Sequence, residues 1–258
     1  MNILILFPLS VTILIPITIF LTYLLAVNDN TVKPLLPYVS DCAFRAPEAS
    51  IFTELVTIIA ILIFCTIVLR VIQVKTILDT DSYCRLLSIS ATGKQRILFV
   101  NCLSLYMAPV LSLGLISLAS FRVIETSRIH FASAAVIFSV GPVFFGTQTW
   151  ISYQLSPLIN SQWMAYFRLS ITLVSVVSIV SSSGFTLWSF QEFRLKFRSS
   201  DRLVWTSADG GYWQHVLAAL FEWLYLLSVG PFVATFVGEV NQLKLTSGPT
   251  FEYVIHTD

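Results

Sequence analysis

Six runs of some twenty or more apolar residues, at 3–27, 51–72, 97–121, 131–153, 169–190 and 213–237, leave this chain few ways to fold. A bilayer's hydrocarbon core is ~30 Å thick and takes about 20 helical residues to cross, so each run is long enough to span it. Backbone amides in lipid find no water, and a helix satisfies them internally. The length alone would suit one or two soluble domains, but these need a polar surface. Only 11% of the 258 residues are charged, against about 25% in soluble domains. The expectation is an all-α polytopic membrane protein, a single six-transmembrane-helix bundle over residues 1–258. The first run lacks a basic leader and exceeds the ~7–15-residue core of a signal peptide, so it reads as a retained span.

Charge excludes some functions and complicates the topology. A net charge of +1 gives no footing for a nucleic-acid partner. The second connector carries Arg70, Lys75, Arg85, Lys94 and Arg96, and the fifth carries Arg194, Lys196, Arg198 and Arg202. Basic connectors stay cytoplasmic, yet six spans put these two on opposite sides. The second is the more basic, which favours cytoplasmic termini. Cys42, Cys65, Cys84 and Cys102 have no metal-ligand spacing. The histidines, His130, His215 and His256, form no H-x-x-x-H or H-E-x-x-H pattern, and neither a Walker loop nor a G-x-S-x-G elbow occurs. Nothing in the chain asks for a catalytic residue, a metal or a cofactor.

Within the spans three features stand out. Pro8, Pro16, Pro109, Pro142 and Pro231 interrupt four helices. Such bends open room in a bundle for a lipid or ligand, although membrane helices also tolerate proline without function. Ser175, Ser178 and Ser182 share one face of the fifth span, the pattern of close helix packing. Glu222, beside Trp223, lies about two turns inside the sixth span, where a carboxylate costs a few kcal/mol on insertion scales. Two readings stay open for it: a functional group on one face with His215, or a bridge between helices through Gln148 or Ser152.

The first connector, "KPLLPYVSDCAFRAPEASIF", is stiffer than a plain linker needs to be. Its residues Pro37, Tyr38, Ser40, Asp41, Pro47 and Glu48, with Tyr23, Ala26 and Val27 before them and Ile51 and Phe52 after, resemble the damage-regulated autophagy modulator (DRAM) family. That family lies within the FRAG/DRAM/Sfk group of six-span membrane proteins. Agreement continues through His130 and Gln148 in the fourth span and through His215, Glu222 and Trp223 in the last. Ala43, Ala46 and Ser120-Phe121-Arg122 depart from the family pattern and mark a divergent member.

The resemblance implies a non-enzymatic protein of lysosomal or other endomembranes, with a role in autophagy or membrane-lipid homeostasis. It implies membrane lipids, or a partner membrane protein, as what it binds. It also makes the first connector an ordered plug over the luminal or exterior mouth of the bundle. A plain stiff loop, or a cap in which Asp41 or Glu48 serves the second helix, competes with the plug. Two other functions are weighed against the regulator: an accessory subunit of a lipid-transfer or lipid-sensing assembly at the endoplasmic reticulum, and a transporter or channel using Glu222 and His215.

Overall fold

In a computed structural model of the chain, described over residues 2–33, 35–193, 203, 205–245 and 251–253, six long helices carry the apolar runs. In chain order the helices are α1 (Leu6–Asn28), α2 (Glu48–Asp79), a short α3 (Asp81–Leu86), α4 (Ala91–Ser120), α5 (Val123–Gln154), α6 (Gln162–Glu192), α7 (Tyr212–Ala234) and a short α8 (Phe236–Asn241). Strands β1 (Leu243–Leu245) and β2 (Phe251–Tyr253) pair antiparallel after them. Arg194, Lys196, Arg198, Arg202 and His256 lie outside the described residues.

The α2 run LVTIIAILIFCTIVL is rich in β-branched residues yet helical, because lipid leaves an isolated segment no other way to pair its backbone. Serine caps set two of the starts. Ser90 Oγ accepts from the Gly93 amide at 3.1 Å and Ser161 Oγ from the Met164 amide at 3.3 Å. Gly211 turns the chain into α7 at φ +75°, where a Cβ would lie 2.3 Å from the Ser189 carbonyl oxygen. Only glycine fits there.

Apolar packing does little to hold helices together in lipid, so small residues and hydrogen bonds do more. Ser112 Oγ donates to the Ala60 carbonyl at 2.9 Å and Asn101 Nδ2 to that of Val71 at 2.9 Å, joining α4 to α2. On the serine face of α6, Ser175 and Ser228 hydroxyls pair at 2.9 Å and Ser182 Oγ donates to the Ala218 carbonyl at 2.9 Å. Each such bond contributes roughly 0.6 kcal/mol. At Gly230-Pro231 the α1 and α7 backbones meet, and Thr12 Oγ1 bonds both the Pro8 carbonyl at 2.9 Å and the Gly230 carbonyl at 3.3 Å.

The start of α1 and the described residues that follow α7 share one end of the bundle, as an even number of crossings requires. Asn2 Nδ2 reaches the Val240 carbonyl at 3.3 Å. The paired strands at that end, whose Tyr253 carbonyl accepts from Tyr83 at 3.1 Å, are too short to show in a sequence pattern. One sequence-based assignment needs correcting. Arg70 is not a connector charge, because it is buried completely inside α2. Lys75, Arg85, Lys94 and Arg96 remain, matching the fifth connector's four, and the charge argument for cytoplasmic termini loses its margin.

Candidate functional site

The first connector is folded down onto the bundle. After α1 the chain closes with the Thr31 amide and hydroxyl both on the Ala26 carbonyl at 2.9 Å. It then turns through a 3-10 segment, Val39–Ala43, that buries Val39, Asp41, Cys42 and Ala43. Two long-range bonds fasten it. Trp223 Nε1 donates to the Pro37 carbonyl at 2.9 Å, and the Tyr38 hydroxyl meets Thr186 Oγ1 at 2.7 Å. The Tyr38 ring stands edge-on to His215, with centroids 4.8 Å apart, and Trp205 stacks on the same imidazole at 4.6 Å.

Pro47 stands at the N-cap of α2 and makes no side-chain cap of its own. Glu48 is the helix's first residue, where a carboxylate complements the helix dipole, and it accepts from Thr31 Oγ1 at 3.4 Å. Burial, followed by the negative charges of Asp41 and Glu222, pushes the Cys42 thiol far above its ordinary pKa. A thiol held protonated is a poor nucleophile, so Cys42 is inert.

Beneath the connector lies a cavity of about 570 Å³. Tyr38, Val39 and Ser40 form its lid, and Glu222 is set in its wall. Its far end is aromatic: Phe145 and Phe236 line it, and Phe145 stacks on Phe232 at 3.9 Å. His130 contributes its ring to the wall while its Nδ1 sits 3.1 Å and 2.9 Å from the Leu118 and Phe121 carbonyls. Both are acceptors, so Nδ1 carries the proton and the residue ties the α4–α5 turn. Gly141 leaves space for Tyr225. A Cβ there would lie 2.2 Å from the Tyr225 hydroxyl, which donates to the Ile137 carbonyl at 3.1 Å.

One of the two sequence readings bridged Glu222 to Gln148 or Ser152, but the structure gives both of those residues other partners. They belong to a charge cluster at the terminal end of the bundle, away from the connector. Gln148 Oε1 accepts from Arg70 Nε at 3.1 Å and its Nε2 donates to Ser104 at 2.9 Å, while Ser152 Oγ accepts from Arg168. At the centre is Glu239. One carboxylate oxygen takes Arg70 Nη1, and the other takes Arg168 Nη2 at 2.6 Å and Asn160 Nδ2 at 3.0 Å. Gln73 Nε2 holds the Glu239 backbone carbonyl at 2.8 Å. Both guanidinium groups also lie over the Phe236 ring, at 5.3 Å and 4.5 Å from its centroid. Thus Phe236 belongs both to the floor of the cavity and to the charge cluster.

Arg168 and Glu239 were missed because hydropathy ends a span where charge begins, and Arg70, though inside the 51–72 run, was counted with the connector charges. A signal was present. Arg70 sits in CTIVLRVIQV, with apolar sequence on both sides, and an intramembrane charge is a site candidate by default. Among the described residues no three His, Cys, Asp or Glu side chains converge as a metal site. The four cysteines are free.

The domain family described as Frag1/DRAM/Sfk1/Cwh43P N-terminal domain matches residues 3–243. DNA damage-regulated autophagy modulator protein 2 of Bos taurus is 27% identical over 229 residues, 87% of this chain and 79% of that protein. DNA damage-regulated autophagy modulator protein 1 of Xenopus laevis is 26% identical over 224 residues, 87% of this chain and 85% of that one. Transmembrane protein 150A of Xenopus laevis is 24% identical over 209 residues, 81% of this chain and 63% of that one. No solved structure gives a significant match.

Proposed function

Because this chain belongs to the Frag1/DRAM/Sfk1/Cwh43P N-terminal domain family, we propose that it is a non-enzymatic, DRAM-type regulator of autophagy and membrane-lipid homeostasis that acts by holding a membrane lipid inside its helix bundle. The observation that carries this reading is the 570 Å³ apolar cavity beneath a fastened connector. Pockets of ~300–1,000 Å³ take single small ligands. The relatives' printed names support the autophagy role. The resemblance of the connector supports a lysosomal or other endomembrane address, with the plug facing the lumen and the termini in the cytoplasm.

An accessory subunit of a lipid-handling assembly is the second reading, favoured by the broad apolar outer face that α6 presents through Leu173, Val177 and Val180. A channel through Glu222 is the weakest of the three, since an aromatic floor closes the path below it. Native mass spectrometry of gently extracted protein separates them. Retention of a lipid-sized adduct on the lone chain is the expected result. A lipid-free chain that arrives with a stoichiometric protein companion would replace the regulator with the subunit.

A further inference from the structure

The cavity beneath the connector opens to one side of the bundle. Its wall is buried or half-buried almost throughout, but four lining residues are exposed on the outside: Phe131 and Ala135 on α5, and Ser183 and Leu187 on α6. Phe131 is 46% exposed and Leu187 65%. Among the described residues, no other helix adds an exposed residue to the lining. Hydrogen bonds join α5 to α6 at their opposite end: Thr149 with Thr172 at 3.0 Å, Tyr153 with Tyr166 at 3.2 Å and Arg168 with Ser152. The pair is tied at the end where α1 starts and open toward the connector. What faces the opening is the hydrocarbon of the connector-side leaflet.

Length, width and polarity specify what enters. Along α5 the lining runs from Phe131 at the opening to Phe145 at the floor, 14 residues or roughly 21 Å at the helical rise. One leaflet supplies about half of a ~30 Å hydrocarbon core, so the path is longer than a leaflet is deep. A full-length membrane chain reaches the floor, and a short chain stops above it. Spread over that length, 570 Å³ is a channel roughly 5 Å across, room for one chain when carbons pack ~3.5–4.0 Å apart. The wall offers a head group little. Thr18 Oγ1 donates to the Leu14 carbonyl at 2.7 Å and Thr66 Oγ1 to that of Leu62 at 2.8 Å. Tyr38 pairs with Thr186 and Tyr225 with the Ile137 carbonyl, and Glu222 is engaged within the protein too. A polar head would lose its water here and gain few partners, which disfavours its entry.

We propose that one hydrocarbon chain of a bilayer lipid enters the bundle sideways between α5 and α6 while its head group stays at the surface of the connector-side leaflet. The chain end lies against Phe145 and Phe236, so the protein reads chain length and leaves the head unread. This rests on the lipid-holding reading above and gives it a ligand class and a route.

The full chain is reconstituted in phosphatidylcholine vesicles with a trace of phosphatidylcholine that carries a photoreactive group at the end of one chain, either octadecanoyl or octanoyl. A third probe puts the octadecanoyl chain on a phosphatidylserine head, and labelled positions are mapped residue by residue. Both octadecanoyl probes are expected to label Phe145 or Phe236 alike, which at 4% and 1% exposure the surrounding bilayer does not reach. The octanoyl probe should leave both unlabelled. Ala135→Trp and Ser183→Trp, which fill the opening from exposed positions, should each abolish floor labelling. Ala132→Trp, exposed on α5 but outside the lining, should leave it intact. Full floor labelling in both opening variants overturns the α5–α6 route while lipid holding stands. Equal floor labelling by the octanoyl probe overturns the reading by length, and a difference between the two heads overturns the placement of the head outside. If no probe labels the floor but the protein extracts with bound lipid, the chain proposal falls alone. If none labels it and the protein extracts without lipid, the lipid-holding reading falls with it.

Discussion

Glu239→Gln is expected to destabilise the bundle by about 3–5 kcal/mol, the loss seen when one partner of a buried ion pair is removed. The effect is large because Glu239 is the single carboxylate between two fully buried guanidinium groups. Without it, Arg70 and Arg168 repel one another with both guanidinium groups screened from solvent by burial. Removing a cation has the opposite effect on charge. Arg70→Met leaves Glu239 paired with Arg168, a neutral couple, and loses one of the two guanidinium bonds to the carboxylate, the bonds to Gln148 and Gln73 and the contact with Phe236. Arg70→Met should therefore be clearly milder than Glu239→Gln. Thermal unfolding in detergent, read by tryptophan fluorescence and size-exclusion profile, ranks the two. Equal stability of Glu239→Gln and the wild type would mean that the cluster is not the lock described here.

The second large effect belongs to Trp223. Truncating a buried tryptophan costs about 3–5 kcal/mol, and here the indole also holds the connector through the Pro37 carbonyl. Trp223→Ala should both lower the melting temperature and release the lid. Cys42 reports the release, being buried and inert in the folded protein. Maleimide should leave Cys42 untouched in the wild type and label it rapidly in Trp223→Ala at temperatures below unfolding. Trp223→Phe keeps the ring and loses one hydrogen bond, worth about 1 kcal/mol, so it should label at an intermediate rate. If Cys42 is equally protected in all three, the connector is held by something other than this indole.

The parts of the protein written locally were readable from sequence, and those written across distance were not. Continuous hydropathy marks the six spans because lipid imposes a single rule on the backbone. The serine period of α6 marks its packing face for the same reason, one helix turn at a time. Proline content shows that the first connector is stiff, yet its anchor lies 186 residues away at Trp223, and no pattern within the connector names that partner. Glu222 stands out as an acid in an apolar run, but only the fold shows that it faces a cavity rather than Gln148. The charge cluster was the costliest omission. Arg168 and Glu239 sit just outside the predicted spans and Arg70 two residues inside the end of one, and each becomes an interior residue once its helix is drawn past the charge.

A map of the protein in lipid nanodiscs, obtained by electron cryomicroscopy with a bound antibody fragment for size, tests the account where it is most exposed. It should show one elongated non-protein density in the cavity beneath the connector, ending against Phe145 and Phe236. A bundle closed over an empty interior would contradict it.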